Sequence, residues 1–532
     1  MSGIESKRLM KGAFLLALAG LLSKILSAAY RVPLQNLTGD IGFYVYQQVY
    51  PILGIAAVLG LYGFPAAVSK LAVDLKAGGY PLSFRSFYVP VLLLLGGFNS
   101  IISILLYINA GKLAVAVGDP MLSGIYQFSA LIFLLLPFVA VLRGVFQGNY
   151  QMEPTAYSQV GEQLVRVCLI IGAAVTVALR DEVYHIGWAA VFASLLGTGA
   201  AILILSIFFV KRKPYTSGTA QVPWRFLTRN LLLVGVVAAL NHMVLLVIQF
   251  ADTFTLVPSL RQYGLSPEEA MEAKGVFDRG QPLIQLGTVL GSSFAIALVP
   301  GLSRHRLKEQ PDSLRQPVRG ALLFSFYLAS GAVAGLITIF PEANTLLYQN
   351  DRGSGALQVL TVSILLCSLA VTGASLLQGV GGVKRTAAFI AAAFLVKWAG
   401  NVLLVPWWGI MGGALATITS LVLLCLLVYA QLMRAFPRLH FLKNVCWKPL
   451  FTALISMVIY LLFVEAIFSG YGMESRLSLL FYILAISTTG GALYLYILVR
   501  GHAFTKSQLE MLPFSAFFIR IHKGRKSNEQ SY

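Results

Sequence analysis

The sequence predicts an all-α polytopic membrane protein with about fourteen transmembrane helices. Three observations predict it. Of 532 residues, 57% are apolar and only 11% are charged, whereas soluble proteins carry about 25% charged residues. The mean hydropathy is +0.77. Apolar runs of about 20 residues, the length that crosses a bilayer, recur from one end of the chain to the other.

The runs fall near 12–32, 43–68, 88–109, 123–146, 157–179, 186–209, 231–256, 280–302, 318–340, 357–378, 386–405, 411–432, 449–468 and 477–498. At the start, Lys7, Arg8 and Lys11 precede an apolar stretch in the manner of a signal peptide. Lys24 interrupts that stretch, which continues to Val32, so an uncleaved first helix is expected. An even number of crossings places both termini on one side. Of the 40 Lys and Arg, 28 fall on that side, in clusters such as Lys211–Arg212–Lys213, Arg304/Arg306/Lys308 and Arg520/Lys523/Arg525/Lys526. Six fall on the opposite side: Lys112, Arg180, Arg261, Lys274, Arg352 and Arg476. The positive-inside rule then puts both termini in the cytoplasm, with the chain in the cell membrane. The net charge of +19 belongs to loops facing anionic lipid and implies no nucleic-acid partner.

Cys168, Cys367, Cys425 and Cys446 form no C-x-x-C pair, and the six histidines have no ligand spacing. The cysteines read as small hydrophobes and no metal is expected.

Charges inside the spans are the informative residues. Charge at membrane depth costs roughly 2.5–3.5 kcal/mol per residue, so it faces a wet cavity or a partner. The stretch 275–304, GVFDRGQPLIQLGTVLGSSFAIALVPGLSR, has Asp278 and Arg279 at the head of an uncharged run. They read either as an ion pair anchoring a helix at the headgroups or as a contact inside a translocation cavity. Lys24, Arg31, Arg143, Arg166 and Lys397 are the other cations within or at the edge of spans, against the acids Glu162, Asp252, Asp278 and Glu465. Arg31 and Arg143 are near enough to helix ends to snorkel. Lys24, Arg166 and Lys397 lie deeper. The surplus of positive charge predicts a cavity that receives an anion. Glu162 and Arg166 are spaced as an i,i+4 pair on one helix. Asp252 reads equally as a site for a coupling cation or proton and as a partner for a polar helix.

An internal repeat organises the spans. LRGVFQGNYQMEPTAYSQVGEQLVRV (142–167) echoes SLLQGVGGVKRTAAFIAAAFLVKWAG (375–400). Gln147-Gly148 pairs with Gln378-Gly379, Arg166 with Lys397 and Pro51 with Pro282, each at an offset of 231; Phe64 pairs with Phe294 at 230. The expectation is two six-helix lobes, 1–215 and 216–440, related as a parallel repeat with a cavity between them. A helix pair at 441–500 and a basic cytoplasmic tail at 501–532 follow. In this register Gln47 and Gln48 stand where Asp278 and Arg279 stand, which suits one anionic head group bound off-centre. Pro51, Pro65, Pro137, Pro282 and Pro300 lie in or at the ends of spans and permit kinks.

These residues resemble a known family. FDRGQPLIQLGTVLGSSFAIALVPGLSR is similar to the eighth helix of MurJ-type lipid II flippases. RGVFQGNYQMEPTAYSQVGEQLVRV resembles the stage V sporulation protein B branch, and LVKWAGNVLLVPWWGIMGGALATITS its eleventh and twelfth helices. The resemblance covers essentially the whole chain and places it in the multidrug/oligosaccharidyl-lipid/polysaccharide exporter superfamily. It implies two lobes around a cationic cavity and alternating access. It gives Arg279 the eighth-helix basic position, Lys24 and Arg31 the first-helix positions, and Asp40 the acid of the first external loop. The second-helix basic position falls among Ile55, Ala56 and Ala57, so this sequence lacks it.

The expected function is therefore a flippase, not an enzyme, carrying a lipid-linked, pyrophosphate-bearing cell-wall glycan precursor in peptidoglycan synthesis or sporulation. The partner would be an undecaprenyl-pyrophosphate oligosaccharide, and the protein a monomer in the lipid bilayer. Arg offers bidentate contact to phosphate oxygens and Lys a point charge. Lys24, Arg31, Gln48, Arg166, Asp278, Arg279 and Lys397 are the expected substrate-binding residues. No cofactor is expected; the drive would be the membrane potential, Na+ or H+, with Asp252 as the coupling residue. Two other functions compete. A cation-coupled multidrug exporter would want a surplus of acids in the cavity. A membrane-embedded glycan-processing enzyme would need a placed acid, base or metal cluster. The acids Glu268, Glu269 and Glu272 of SPEEAMEAKG instead read as the solvated face of a short amphipathic helix.

Overall fold

The computed structural model describes residues 3–180, 182–218, 222–298, 311–437, 439–468, 475–510 and 515–523. Among the described residues every regular element is helical. Eleven helical runs among these described residues are long and apolar enough to cross a membrane: Phe14–Ala77, Phe84–Val117, Pro120–Gly148, Glu153–Arg180, His185–Arg212, Val244–Tyr263, Leu314–Thr338, Ser354–Gly379, Val383–Ala435, Trp447–Phe468 and Arg476–Arg500. Two of them each contain two expected spans. In Phe14–Ala77 the expected loop at 33–42 shrinks to a single non-helical residue, Gly39, at φ 68° and ψ −174°. In Val383–Ala435 the break is Gly409 at φ 54° and ψ −139°. Glycine takes up these angles because it has no Cβ to clash. The expected span 280–302 corresponds to the Gly280–Leu298 helix, and its last residues, with Pro300, Arg304, Arg306 and Lys308, lie outside the described residues, as do Arg525 and Lys526.

The expected span 231–256 is corrected. It breaks at Met243 (φ −106°, ψ 10°), and the Val244–Tyr263 helix runs on past the expected boundary, taking in Arg261. SPEEAMEAKG forms the Pro267–Asp278 helix, closed by a capping box between Ser266 and Glu269.

The offset read from the sequence recurs in the elements themselves. Ser123–Ser129 and Ile132–Gly148 begin 231 residues before Ser354–Thr361 and Ser363–Gly379. The helices ending at Gly148 and Gly379 stop in the same geometry, at Asn149 (φ −94°, ψ 11°) and Val380 (φ −96°, ψ 11°).

The chain forms two compact units, Met1–Pro282 with Val383–Ala416, and Leu283–Gly382 with Thr417–Tyr532. In the first unit the Glu153–Arg180 helix packs along both His185–Arg212 and Gly3–Ala29, and Phe64–Ala77 packs on Ile132–Gly148. The Pro267–Asp278 helix lies on Arg31–Val58. Gly275 makes that approach possible, since a Cβ there would stand 2.1 Å from the Asp40 carbonyl oxygen. In the second unit Pro311–Thr338 packs on Ser363–Gly379, and Trp447–Phe468 on Arg476–Arg500. Tyr494 donates to the Tyr327 carbonyl at 2.6 Å, and the Cys446 amide to the Tyr327 hydroxyl at 2.8 Å. All the charged groups taken up below lie in the first unit.

Candidate functional site

The interior of the first unit holds an unusual set of buried charges. Arg31, Arg143, Arg279 and Lys274 are among the largest fully buried side chains. A buried charge without a partner is expensive, so the pairing decides what each residue is for.

Arg279 follows the Pro267–Asp278 helix and is fully buried. Its Nε donates to Asp40 Oδ1 at 2.9 Å and its Nη2 to Asp40 Oδ2 at 2.5 Å. This is the two-pronged fit of a guanidinium to a carboxylate. Gln35 Nε2 holds the same Oδ1 at 2.9 Å. The sequence reading that set Asp278 against Arg279 is therefore corrected. Asp278 pairs with Lys274, one helical turn earlier, and both are buried. Consecutive residues on a helix point about 100° apart, whereas positions i and i+4 share a face. Lys274, expected on an external loop, is 2% exposed.

Lys397 Nζ lies 2.7 Å from Asp252 Oδ1 and donates to the Gly413 carbonyl at 3.0 Å. Asn401 Nδ2 donates to Asp252 Oδ1 at 2.8 Å and to Thr255 Oγ1 at 2.7 Å. The ring of Phe277 stands 5.5 Å from the ammonium. Asp278 lies within electrostatic range of both Asp252 and Arg31, which joins these pairs into one buried network.

Arg143 and Arg166 share one acid. Glu162 Oε2 accepts from Arg143 Nη2 at 2.9 Å, and Glu162 Oε1 from Arg166 Nη2 at 2.7 Å. Arg143 also donates to Ser158 Oγ and to the Gly60 carbonyl. The expected i,i+4 pair of Glu162 and Arg166 is present, but a second arginine joins it. Snorkelling does not describe Arg143, which is 2% exposed, or Arg31, which is 0% exposed.

Arg31 differs from all the others. None of its three guanidinium nitrogens has a hydrogen-bond partner, and no carboxylate pairs with it among the described residues. It lies 4.1 Å over the ring of Tyr50. The hydroxyls of Tyr30 and Tyr46 bond to each other, with the two rings edge to face. Gln48 is fully buried with both amide atoms unpartnered, and Gln47 Oε1 is unpartnered as well. Lys24, on the Gly3–Ala29 helix, is half-buried, and no ion pair holds it among the described residues. Three carboxylates (Asp40, Asp252, Asp278) thus answer three cations (Arg279, Lys397, Lys274), and Arg31 is left over beside a strip of tyrosines and unsatisfied amides.

The structure brings Arg31, Asp278, Lys397 and Asp252 into one network, with Arg279 pinned to Asp40. Arg166 belongs to the Arg143–Glu162 group and acts electrostatically on Tyr30. Sequence reasoning missed the buried role of Lys274, the Asn401 contact and the tyrosines around Arg31. The Lys274–Asp278 spacing was a readable signal. Nothing local marks Asn401 or the tyrosines. Among the described residues no group of three or more His, Cys, Asp or Glu stands ready for a metal.

The long apolar helices make a multi-pass membrane protein. The chain belongs to the polysaccharide biosynthesis protein family, whose model matches residues 9–306. It is 38% identical to the uncharacterized membrane protein YabM of Bacillus subtilis (strain 168), over 99% of both chains. It is 24% identical to the lipid II flippase MurJ of the same organism, over 92% of this chain and 95% of that one. Its fold matches a solved structure of MurJ in an inward closed conformation, with a TM-score of 0.65 at 13% identity, covering 91% of this chain and 98% of that one. The resemblance to the MurJ and stage V sporulation protein B branch, and the superfamily it implies, are thereby shown.

Proposed function

We propose that the protein is a flippase moving a lipid-linked, pyrophosphate-bearing cell-wall glycan precursor across the cytoplasmic membrane by alternating access. The observation that carries the reading is Arg31, a buried guanidinium with no hydrogen-bond partner among the described residues. A pyrophosphate supplies the oxygens that Arg31 lacks, in the bidentate geometry that guanidinium favours. Lys24, also without a carboxylate among the described residues, adds a second positive point. Gln48 has free donors and acceptors for the sugar hydroxyls or phosphate oxygens. The polyprenyl tail stays in lipid, along the Trp447–Phe468 and Arg476–Arg500 helices. Arg279 is held by Asp40, so it reaches cargo only after that pair opens; Asp278, Arg166 and Lys397 shape the field around the site rather than touching cargo first.

The same reading takes the lobes 1–215 and 216–440 as the moving parts, both termini as cytoplasmic, and the monomer as the working unit. The names of relatives support the cargo class, because MurJ is called a lipid II flippase. The acids of the network are already matched by cations, which disfavours an organic cation as cargo.

The test uses purified full-length protein in vesicles with a fluorescent lipid II analogue. Lys24→Ala with Arg31→Ala should abolish inward-to-outward movement of the label while the protein stays folded and inserted. Undiminished movement refutes the assignment. In cells lacking the protein, the precursor that builds up on the cytoplasmic face identifies the cargo.

A further inference from the structure

Within the first unit, the charges of Arg143, Arg166 and Glu162 do not cancel. Two guanidiniums share one carboxylate, and both its oxygens are taken, Oε2 by Arg143 at 2.9 Å and Oε1 by Arg166 at 2.7 Å. Every nitrogen of Arg143 has a partner, since its Nε serves Ser158 and its Nη1 the Gly60 carbonyl. Arg166 Nε is buried and has none among the described residues. The three residues border a cavity with room for one small occupant, whose other walls include Thr198 and the apolar Leu53, Ile132 and Leu136. Thr198 is brought there by the close approach at Gly197, where a Cβ would stand 2.8 Å from the Glu162 carbonyl oxygen. Among the described residues no second carboxylate lines the cavity. The internal repeat does not demand the group. At the offset of 231, Arg143 and Glu162 correspond to Ala374 and Ala393, and Lys397, in the place of Arg166, meets Asp252 one to one.

We propose that this cavity is a halide site: one chloride ion sits against Arg166 Nε and the Thr198 hydroxyl and balances the surplus charge of the trio. Uncompensated charge in a buried group is costly, and the cost falls when an opposite charge is placed beside it. A water molecule would satisfy the Arg166 N–H but leave the extra positive charge. A monovalent anion does both. A divalent anion would overshoot the single surplus charge, and a cation would meet two guanidiniums and a carboxylate with no oxygen to spare. Guanidinium is weakly hydrated, as is a halide, and the apolar walls suit an ion that gives up its water cheaply. The bound ion ties together Ile132–Gly148, Glu153–Arg180 and His185–Arg212, which supply Arg143, Arg166 and Thr198. Chloride is then a structural ligand of the first unit, apart from Arg31 and the cargo.

The experiment is thermal unfolding of the purified full-length protein as potassium chloride replaces potassium gluconate at constant ionic strength. An ion bound only by the folded state stabilises it logarithmically with concentration. Above the dissociation constant the melting temperature should therefore rise by about 1 °C per tenfold increase in chloride. Potassium bromide should act in the same way. Arg166→Gln removes the surplus charge and the free N–H, so its melting should be the same in chloride and gluconate. Arg31→Met should keep the full chloride rise, which separates this site from the unpartnered guanidinium of the cargo site. If Arg166→Gln does not fold, Thr198→Val, which keeps all three charges, should need more chloride for the same rise. The proposal is overturned if the natural protein melts alike in both salts, if the rise survives Arg166→Gln, or if Arg31→Met abolishes it. With Arg166→Gln unfolded, a Thr198→Val response equal to that of the natural protein also overturns it. None of these readings depends on lipid movement, so the flippase assignment stands or falls separately.

Discussion

Arg279 and Asp40, 239 residues apart in sequence, clasp each other through two hydrogen bonds of 2.9 and 2.5 Å in the buried interior of the first unit. The pair joins the Arg31–Val58 helix to the junction between Pro267–Asp278 and Gly280–Leu298. Removing one partner strands the other. Asp40→Asn should therefore cost about 3–5 kcal/mol, the usual loss when a buried pair is broken. Asp40→Asn combined with Arg279→Gln should cost clearly less than the two single losses added together. Melting of the four proteins in detergent gives the cycle, and additive losses would show that the pair is not coupled.

Arg31 should behave in the opposite way. Its contact with Tyr50 offsets part of its desolvation, at about 2 kcal/mol for a buried cation–π contact, and none of the described residues hydrogen-bonds its guanidinium nitrogens. Arg31→Met, similar in bulk and uncharged, should raise the melting temperature while abolishing movement of the lipid analogue. A lower melting temperature would mean that the guanidinium has a stabilising partner.

Glu162 is the shared acid of Arg143 and Arg166. Glu162→Gln leaves two cations facing each other in the interior and should cost about 3–5 kcal/mol. Adding Arg166→Met should recover part of that loss, since one stranded charge is gone. No recovery in the double variant would place the second arginine elsewhere.

The Pro267–Asp278 helix should loosen in acid. Glu269 accepts from the Ser266 backbone N–H, and this holds its carboxyl below the usual glutamate range. A carboxylate with a depressed folded value contributes at pH above its unfolded value and loses that contribution as pH falls through the folded one. Amide exchange at residues 266–270 should accelerate, relative to the rest of the helix, only below the usual glutamate range. Glu269→Gln should exchange with no such dependence.

The helices were legible because each apolar run needs its own crossing, and the 231-residue offset was legible because Gln147-Gly148 and Gln378-Gly379 end helices in the same geometry. The charged positions were legible too, since Arg31, Arg279 and Lys397 stand out in apolar sequence. Their partners were not. Asp278 is Arg279's neighbour in sequence, but the helix turns it toward Lys274, and the acid that answers Arg279 comes from another helix altogether. Lys274 looked like a loop residue because its surroundings are polar in sequence, yet the short helix folds back and buries it. Which cation remains over can be decided only once all the long-range pairs are known, and among the fully buried cations that singles out Arg31.

Gly275 sits under the carbonyl of Asp40, where a methyl group would have no room. At that level the Pro267–Asp278 and Arg31–Val58 helices meet backbone to backbone. A larger residue at 275 would push the two helices apart, and the clasp of Arg279 on Asp40 would have to stretch with them.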